Sequence, residues 1–274
     1  MARATRRAAA AAAALGRRQF LQLGVGLSVA ISGFLAPRRA RAFGDGGAFD
    51  PRGLVTGATT APLRATAAAR WGAELVQRTS APARSKPSTV RADSSDLATA
   101  PFAFWSAREA PAALTSEEIS GLRRWFGLGG TLLVDDGGAE ESAEAGESAF
   151  LAGAKREILR VLTDGAPIAV PAEHVLYKSY YLLDKPEGRV ARKKPAEAIF
   201  RNGKIAVLFV PQDLLGALAR SATGTWEQSV TPGGETQRER AIRFAVNIAM
   251  YVLCSNYKDD QVHAPFLMRR RAAE

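Results

Sequence analysis

The stretch that most constrains this chain is 115–138, TSEEISGLRRWFGLGGTLLVDDGG. It reads as a capped helix, a glycine stop and a buried strand that delivers two carboxylates. Thr115 is a natural N-cap, and Glu118 three residues on completes a capping box. Ile119, Leu122 and Trp125/Phe126 recur at helical spacing and define one apolar face. Gly129 and Gly130 suit the left-handed turn that ends a helix. The run 131–134 (TLLV) is apolar without alternation, as expected for a parallel strand covered on both faces. It leads directly into Asp135-Asp136-Gly137-Gly138. In open α/β sheets ligands bind beyond the carboxyl ends of the strands, so this end is the first place to look for a site.

Net charge decides whether nucleic acid is a plausible partner. The 274-residue chain carries a formal +10, but residues 1–42 hold eight arginines and no acid. Setting those aside leaves 29 basic against 27 acidic residues, a net of +2. The basicity therefore belongs to a targeting segment, and nucleic-acid binding is discounted. Within that segment Arg17-Arg18-Gln19-Phe20-Leu21 follows an alanine-rich start, and a mildly apolar run of about 15 residues follows, short of the roughly 20 that span a bilayer. Ala40-Arg41-Ala42 supplies a small-x-small cleavage pattern. This resembles a twin-arginine export signal cleaved between Ala42 and Phe43, although Gly16 and Gln22 stand where Ser or Thr and Lys are usual. The expected address is the periplasm or the exterior. The single cysteine, Cys254, excludes an intramolecular disulfide.

The mature chain, 43–274, reads as a single α/β domain with its core over 49–257 and a polar tail over 258–274. A first strand or extended arm falls within 43–57. A helix over 60–78, capped by Thr60, follows from Leu63, Ala67, Trp71 and Leu75 at four-residue spacing. A short edge strand at 88–91 and an apolar strand at 101–105 precede the central helix and strand. The acidic, glycine-containing run 137–148 is a flexible loop, and a helix over 150–162 comes next. A strand starts within 166–170, and an aromatic-rich connection (171–181) and a basic loop (184–194) follow. Asn202-Gly203 closes a hairpin between 198–201 and 205–210. After a polar loop (221–238), the longest helix covers 238–257. The alternation of strands and helices predicts a parallel sheet with helices on both faces.

The blocks RTS (78–80), PFAFW (101–105), LTSEEISGLRRWFGLGGTLLVDD (114–136), PAEHVLYKSYYLLDKPEGRV (171–190) and PGGETQRERAIRFAVNIAMYVLCSNYKDDQVH (232–263), with the arginines at 269–271, resemble the exported bacterial family called domain of unknown function 4159. The resemblance covers about 49–271. It implies a class I glutamine amidotransferase-like fold, a flavodoxin-like α/β sandwich. It also implies a setting shared with MoxR-type ATPases and von Willebrand factor A proteins as partners. One departure is Gln212-Asp213, where an Asn-Asp pair aligns.

Amidotransferase chemistry needs a cysteine at a strand-to-helix elbow with a histidine beside it. Cys254 instead lies in the apolar-periodic last helix, where a buried structural thiol is expected, and no G-x-S-x-G elbow occurs. Asp135, Asp136, Glu140, Glu141, Glu144 and Glu147 cluster in sequence, but their spacing matches no calcium loop, and the two histidines, His174 and His263, are too few for a zinc centre of their own. The reading is a solvated acidic loop, with no metal or cofactor assigned. Arg269–Arg271 read as a solvated terminus. Asp135, Asp136, His174, Tyr180, Asp213 and Arg238 fall at or after element ends and could converge on one cleft. Arg238 opens a helix whose dipole it opposes, so it calls for an acid or an anionic ligand. The expected function is a non-catalytic module that binds a small polar ligand or a protein partner at the strand carboxyl ends. The alternative is a periplasmic hydrolase using Asp135 or Asp136 with His174.

Overall fold

The computed structural model describes residues 47–84, 86, 88–139 and 146–271, with side chains of the last helix described as far as Ser255. The expected export signal, with Arg17, Arg18, Ala42 and Phe43, and the acidic Glu140, Glu141 and Glu144 lie outside the described residues. Seven strands form one mixed sheet: β1 (Arg52–Val55), β2 (Thr89–Arg91), β3 (Phe102–Ala107), β4 (Thr131–Asp136), β5 (Ile168–Ala169), β6 (Glu197–Arg201) and β7 (Lys204–Val210). Their order is β2-β1-β3-β4-β7-β6-β5. The first five neighbours run parallel, and β6 is antiparallel to both β7 and β5. The hairpin expected at Asn202-Gly203 is present, with both residues at positive φ (50° and 74°), as a two-residue turn between twisted strands requires.

The helices are α1 (Ala67–Thr79), α2 (Ser116–Gly127), α3 (Ala149–Val161), α4 (Leu214–Leu218) and α5 (Gly234–Arg271). Strand residues alternate between two faces. Ala103, Trp105, Leu132, Val134, Val207 and Phe209 share a core with Leu122, Trp125 and Phe126 of α2 and with Phe150, Leu151, Ala154 and Ile158 of α3. On the opposite face Phe102 packs edge-on against Trp71 of α1 and tilted against Phe49, and the Trp71 indole donates to the Ala245 carbonyl of α5 at 2.8 Å. The chain is thus an α/β sandwich of the flavodoxin-like type, with helices on both faces.

Four expectations need correction. The first helix starts at Ala67 rather than at residue 60, because Arg64 takes a left-handed conformation (φ 61°) that breaks the helical path. The short helix α4, unsuspected in LLGAL, follows Asp213, whose own backbone is left-handed and whose carboxylate caps the Gly216 amide at 3.0 Å. The expected tail over 258–274 is helical to Arg271, as α5 runs on through Pro265 without a glycine to stop it. Cys254 is exposed, not buried, since it follows Val252 and Leu253 around the helix and turns off the core face. Among the described residues no helix is long and apolar enough to cross a membrane.

Candidate functional site at the strand carboxyl ends

β4 is one turn of pleat longer than its apolar run, so Asp135 and Asp136 belong to the strand and point to opposite faces. Asp135 faces α4. Its two oxygens accept the Leu214 and Leu215 amides at 2.7 and 2.8 Å. Asp136 faces the other layer, where one oxygen accepts from the Gly138 amide at 3.1 Å and from the Ser148 hydroxyl at 2.5 Å. Its second oxygen is buried without a hydrogen-bond partner among the described residues. The two carboxylates are therefore not a pair acting on one substrate atom.

Asp135 has a different neighbour, Asp213, at the end of β7. Asp213 is fully buried and holds two arginines. Arg64 donates to it through Nη2 at 2.9 Å, and Arg189 through Nε at 2.5 Å. Both guanidinium groups are themselves buried, at 4% side-chain exposure. The Arg189 amide also donates to the Asp213 carbonyl at 3.0 Å. Asp213 therefore ties the loop after β1 to the basic loop before β6. Burial, and then the negative charge of Asp213, push the Asp135 carboxyl well above the usual carboxylate range. Burial also raises the Asp136 carboxyl.

The remaining candidates do not join this cluster. His174 caps a 3-10 turn (Val175–Lys178), its Nδ1 accepting the Leu176 amide at 3.1 Å, and its ring packs on Phe200 and Tyr251. Phe200 pairs with Ile205 at the start of β7, whereas Asp135 pairs with Val210 at its end. Five residues of strand, about 16 Å, separate the two levels. Burial lowers the pKa of His174. Tyr180 is held between helices: its hydroxyl donates to the Arg78 carbonyl, and its amide donates to Asn247 Oδ1. Arg238 is 3% exposed and locks the 219–228 loop, donating to the Ala217 and Gln228 carbonyls at 2.7 and 2.8 Å, pairing with Glu235 and stacking on Trp226. α5 begins at Gly234 rather than at residue 238, so Arg238 lies a turn inside the helix instead of opening it, and the acid it pairs with there is Glu235.

Arg64 and Arg189 were missed by sequence reasoning. A buried aspartate at a strand end requires a cation, but nothing local to TTAPLR or EGRV says which of 37 basic residues supplies it. Ser106 was missed as well. It is the penultimate residue of β3, is 3% exposed, and its hydroxyl has no hydrogen-bond partner among the described residues. Ser106 lies in the lining of a cavity of about 700 Å³ formed by the loop after β1 (Thr56, Thr59, Pro62, Leu63) and the end of β3 (Trp105, Arg108). From β1 the chain passes to β2 on one side and then crosses to β3 on the other, so this crevice stands where the strand order reverses. Such switch points are where open α/β sheets hold their ligands. No group of three or more metal-ligating side chains occurs among the described residues.

A comparison with curated proteins gave no match. The profile described as Domain of unknown function (DUF4159) matches residues 58–253, which include Ser106, Asp135 and Asp213. With that match over most of its length, the chain belongs to the domain of unknown function 4159 family.

Proposed function

We propose that this protein is an exported, non-catalytic ligand-binding module, and that its site is the crevice between the ends of β1 and β3. One observation carries the reading: a cavity of ligand size sits at the topological switch point with the buried, unpaired Ser106 hydroxyl in its lining. Leu54, Pro62, Leu63 and Trp105 supply apolar walls, and Thr56, Thr59 and Ser106 supply hydroxyls. That mixture suits a small molecule with an apolar body and a hydrogen-bonding edge. A hydrolase built from Asp135 or Asp136 with His174 draws no support from this geometry, since the histidine stands at the other end of the strands.

The test is a thermal-shift screen of the purified protein against a library of small metabolites, run in parallel on Ser106→Leu, which fills the crevice. A ligand bound only to the native state raises the midpoint by mass action. Compounds that stabilise the wild type and not the variant are the expected result. A screen without hits, or hits retained by Ser106→Leu, would refute the reading. Export is tested separately. Replacing Arg17 and Arg18 by lysine should leave the protein in the cytoplasmic fraction, whereas unchanged recovery from the periplasm would rule out the twin-arginine route.

A further inference from the structure

A second cavity, of about 600 Å³, shares no lining residue with the crevice. Its walls come from the basic loop 184–195 and from the segment around Val170 and Tyr177. Tyr177 is 1% exposed and lines this cavity, with its ring stacked on Phe244 of α5 at 5.7 Å. Its hydroxyl is buried and has no hydrogen-bond partner among the described residues. A buried phenol normally finds an acceptor, so an orphan donor in a cavity wall points to a missing acceptor there. Four cations line the same space (Lys185, Arg192, Lys193 and Lys194) against two carboxylates, Asp184 and Glu187. Glu187 is within 3.4 Å of Lys185, and Lys194 pairs with Glu147 at 2.9 Å. Lys193 is exposed and has no ion pair among the described residues.

We propose that this cavity binds a small oxyanion, a phosphate or a carboxylate group, whose oxygen accepts the Tyr177 hydroxyl while Lys193 supplies the compensating charge. Burial raises the Tyr177 pKa, which keeps the phenol protonated and a donor. The site is separate from the β1–β3 crevice and stands whether or not that crevice binds a ligand. Arg189, which clamps Asp213, comes two residues after Glu187, so the loop that forms this wall is fixed by the buried cluster.

The experiment titrates the full chain with inorganic phosphate and, separately, with acetate, each against sodium chloride at matched ionic strength, by isothermal calorimetry and by melting temperature. The wild type is compared with Tyr177→Phe, which removes one atom, with Lys193→Ala at an exposed position, and with Arg124→Ala on the exposed face of α2. Saturable binding of phosphate or of acetate is expected, weakened about tenfold or more by Tyr177→Phe and by Lys193→Ala, since each removes a charge-assisted contact. Arg124→Ala, which removes an exposed charge outside both cavity linings, should bind as the wild type does. Phosphate alone would identify a phosphorylated ligand, and acetate alone a carboxylate. Either supports the site. Responses no larger than those of chloride overturn the proposal, and so does undiminished binding by either of the first two variants.

Discussion

At Asp213 one carboxylate answers two buried guanidinium groups, and removing its charge leaves both uncompensated. Asp213→Asn should therefore lower stability by about 3–5 kcal/mol in urea unfolding at neutral pH, as breaking buried pairs does. A loss under about 1 kcal/mol would show that the arginines find other partners. Asp135 behaves in the opposite sense. Its folded pKa lies well above its unfolded value of about 3.9, so the native state holds a proton that the unfolded chain has released. The stabilisation this gives is complete below about pH 4 and is lost as pH rises through the folded pKa. The stability difference between wild type and Asp135→Asn should accordingly shrink as pH increases from 4, and a difference that grows would contradict the assignment. Glu239 has the normal acidic sign. Hydrogen bonding from Arg78 holds it down at about 2, so its contribution is present above about pH 4.3 and fades as pH falls toward 2. The pair is partly exposed, so Glu239→Gln should cost no more than about 1 kcal/mol at pH 7, and the cost should shrink as pH falls through the folded pKa.

At the level of elements, α2 shows how a local signal acquires a tertiary role. Thr115 Oγ accepts the Glu118 amide, and Glu118 returns a carboxylate oxygen to the Thr115 amide, the box read from the sequence. The other Glu118 oxygen accepts the Gly57 amide at 2.6 Å, which pins the loop after β1 that walls the crevice. Thr115→Ala should cost about 1 kcal/mol, and Glu118→Ala distinctly more, because two amides lose their acceptor. Gly121 on the same helix illustrates close approach. A Cβ there would stand 2.1 Å from the Ala92 carbonyl oxygen. Gly121→Ala, a change that helps a solvent-facing helix by up to about 1 kcal/mol, should here destabilise, and chemical denaturation reads the sign directly.

Across the whole molecule, the sheet is covered on both faces, with Trp71 in one layer and Trp105 and Trp125 in the other. Because β3 carries Phe102 to one layer and Trp105 to the next, neither can melt without exposing the sheet that the other needs. Tryptophan fluorescence and far-ultraviolet circular dichroism should report one coincident urea transition, and separate midpoints would mean that the layers unfold independently. The carboxyl edge is organised on the same scale. Asp213 links the loop bordering the β1–β3 crevice, through Arg64, to the loop bordering the basic cavity, through Arg189. A single buried carboxylate thus fixes the walls of both cavities.

The alternating elements, the α2 capping box, the apolar β4 run and the Asn202-Gly203 turn were all legible in the sequence, because each rests on contacts within a few residues or on side-chain periodicity. The location of the candidate site at the strand carboxyl ends was legible for the same reason, since it follows from strand direction alone. The membership of that site was not. Asp135 and Asp136 are adjacent in sequence, but the pleat sends them to opposite layers. His174 is rich in possible chemistry, but its connection carries it to the amino end of β7. Arg64 and Arg189 meet Asp213 across 149 and 24 residues of chain. Ser106 gains its significance only from the reversal of strand order beside it. Pattern along the chain sets which segments form strands and helices. Which buried charge meets which, and where a cavity remains, depend on contacts between distant segments, and only the packed tertiary structure decides them.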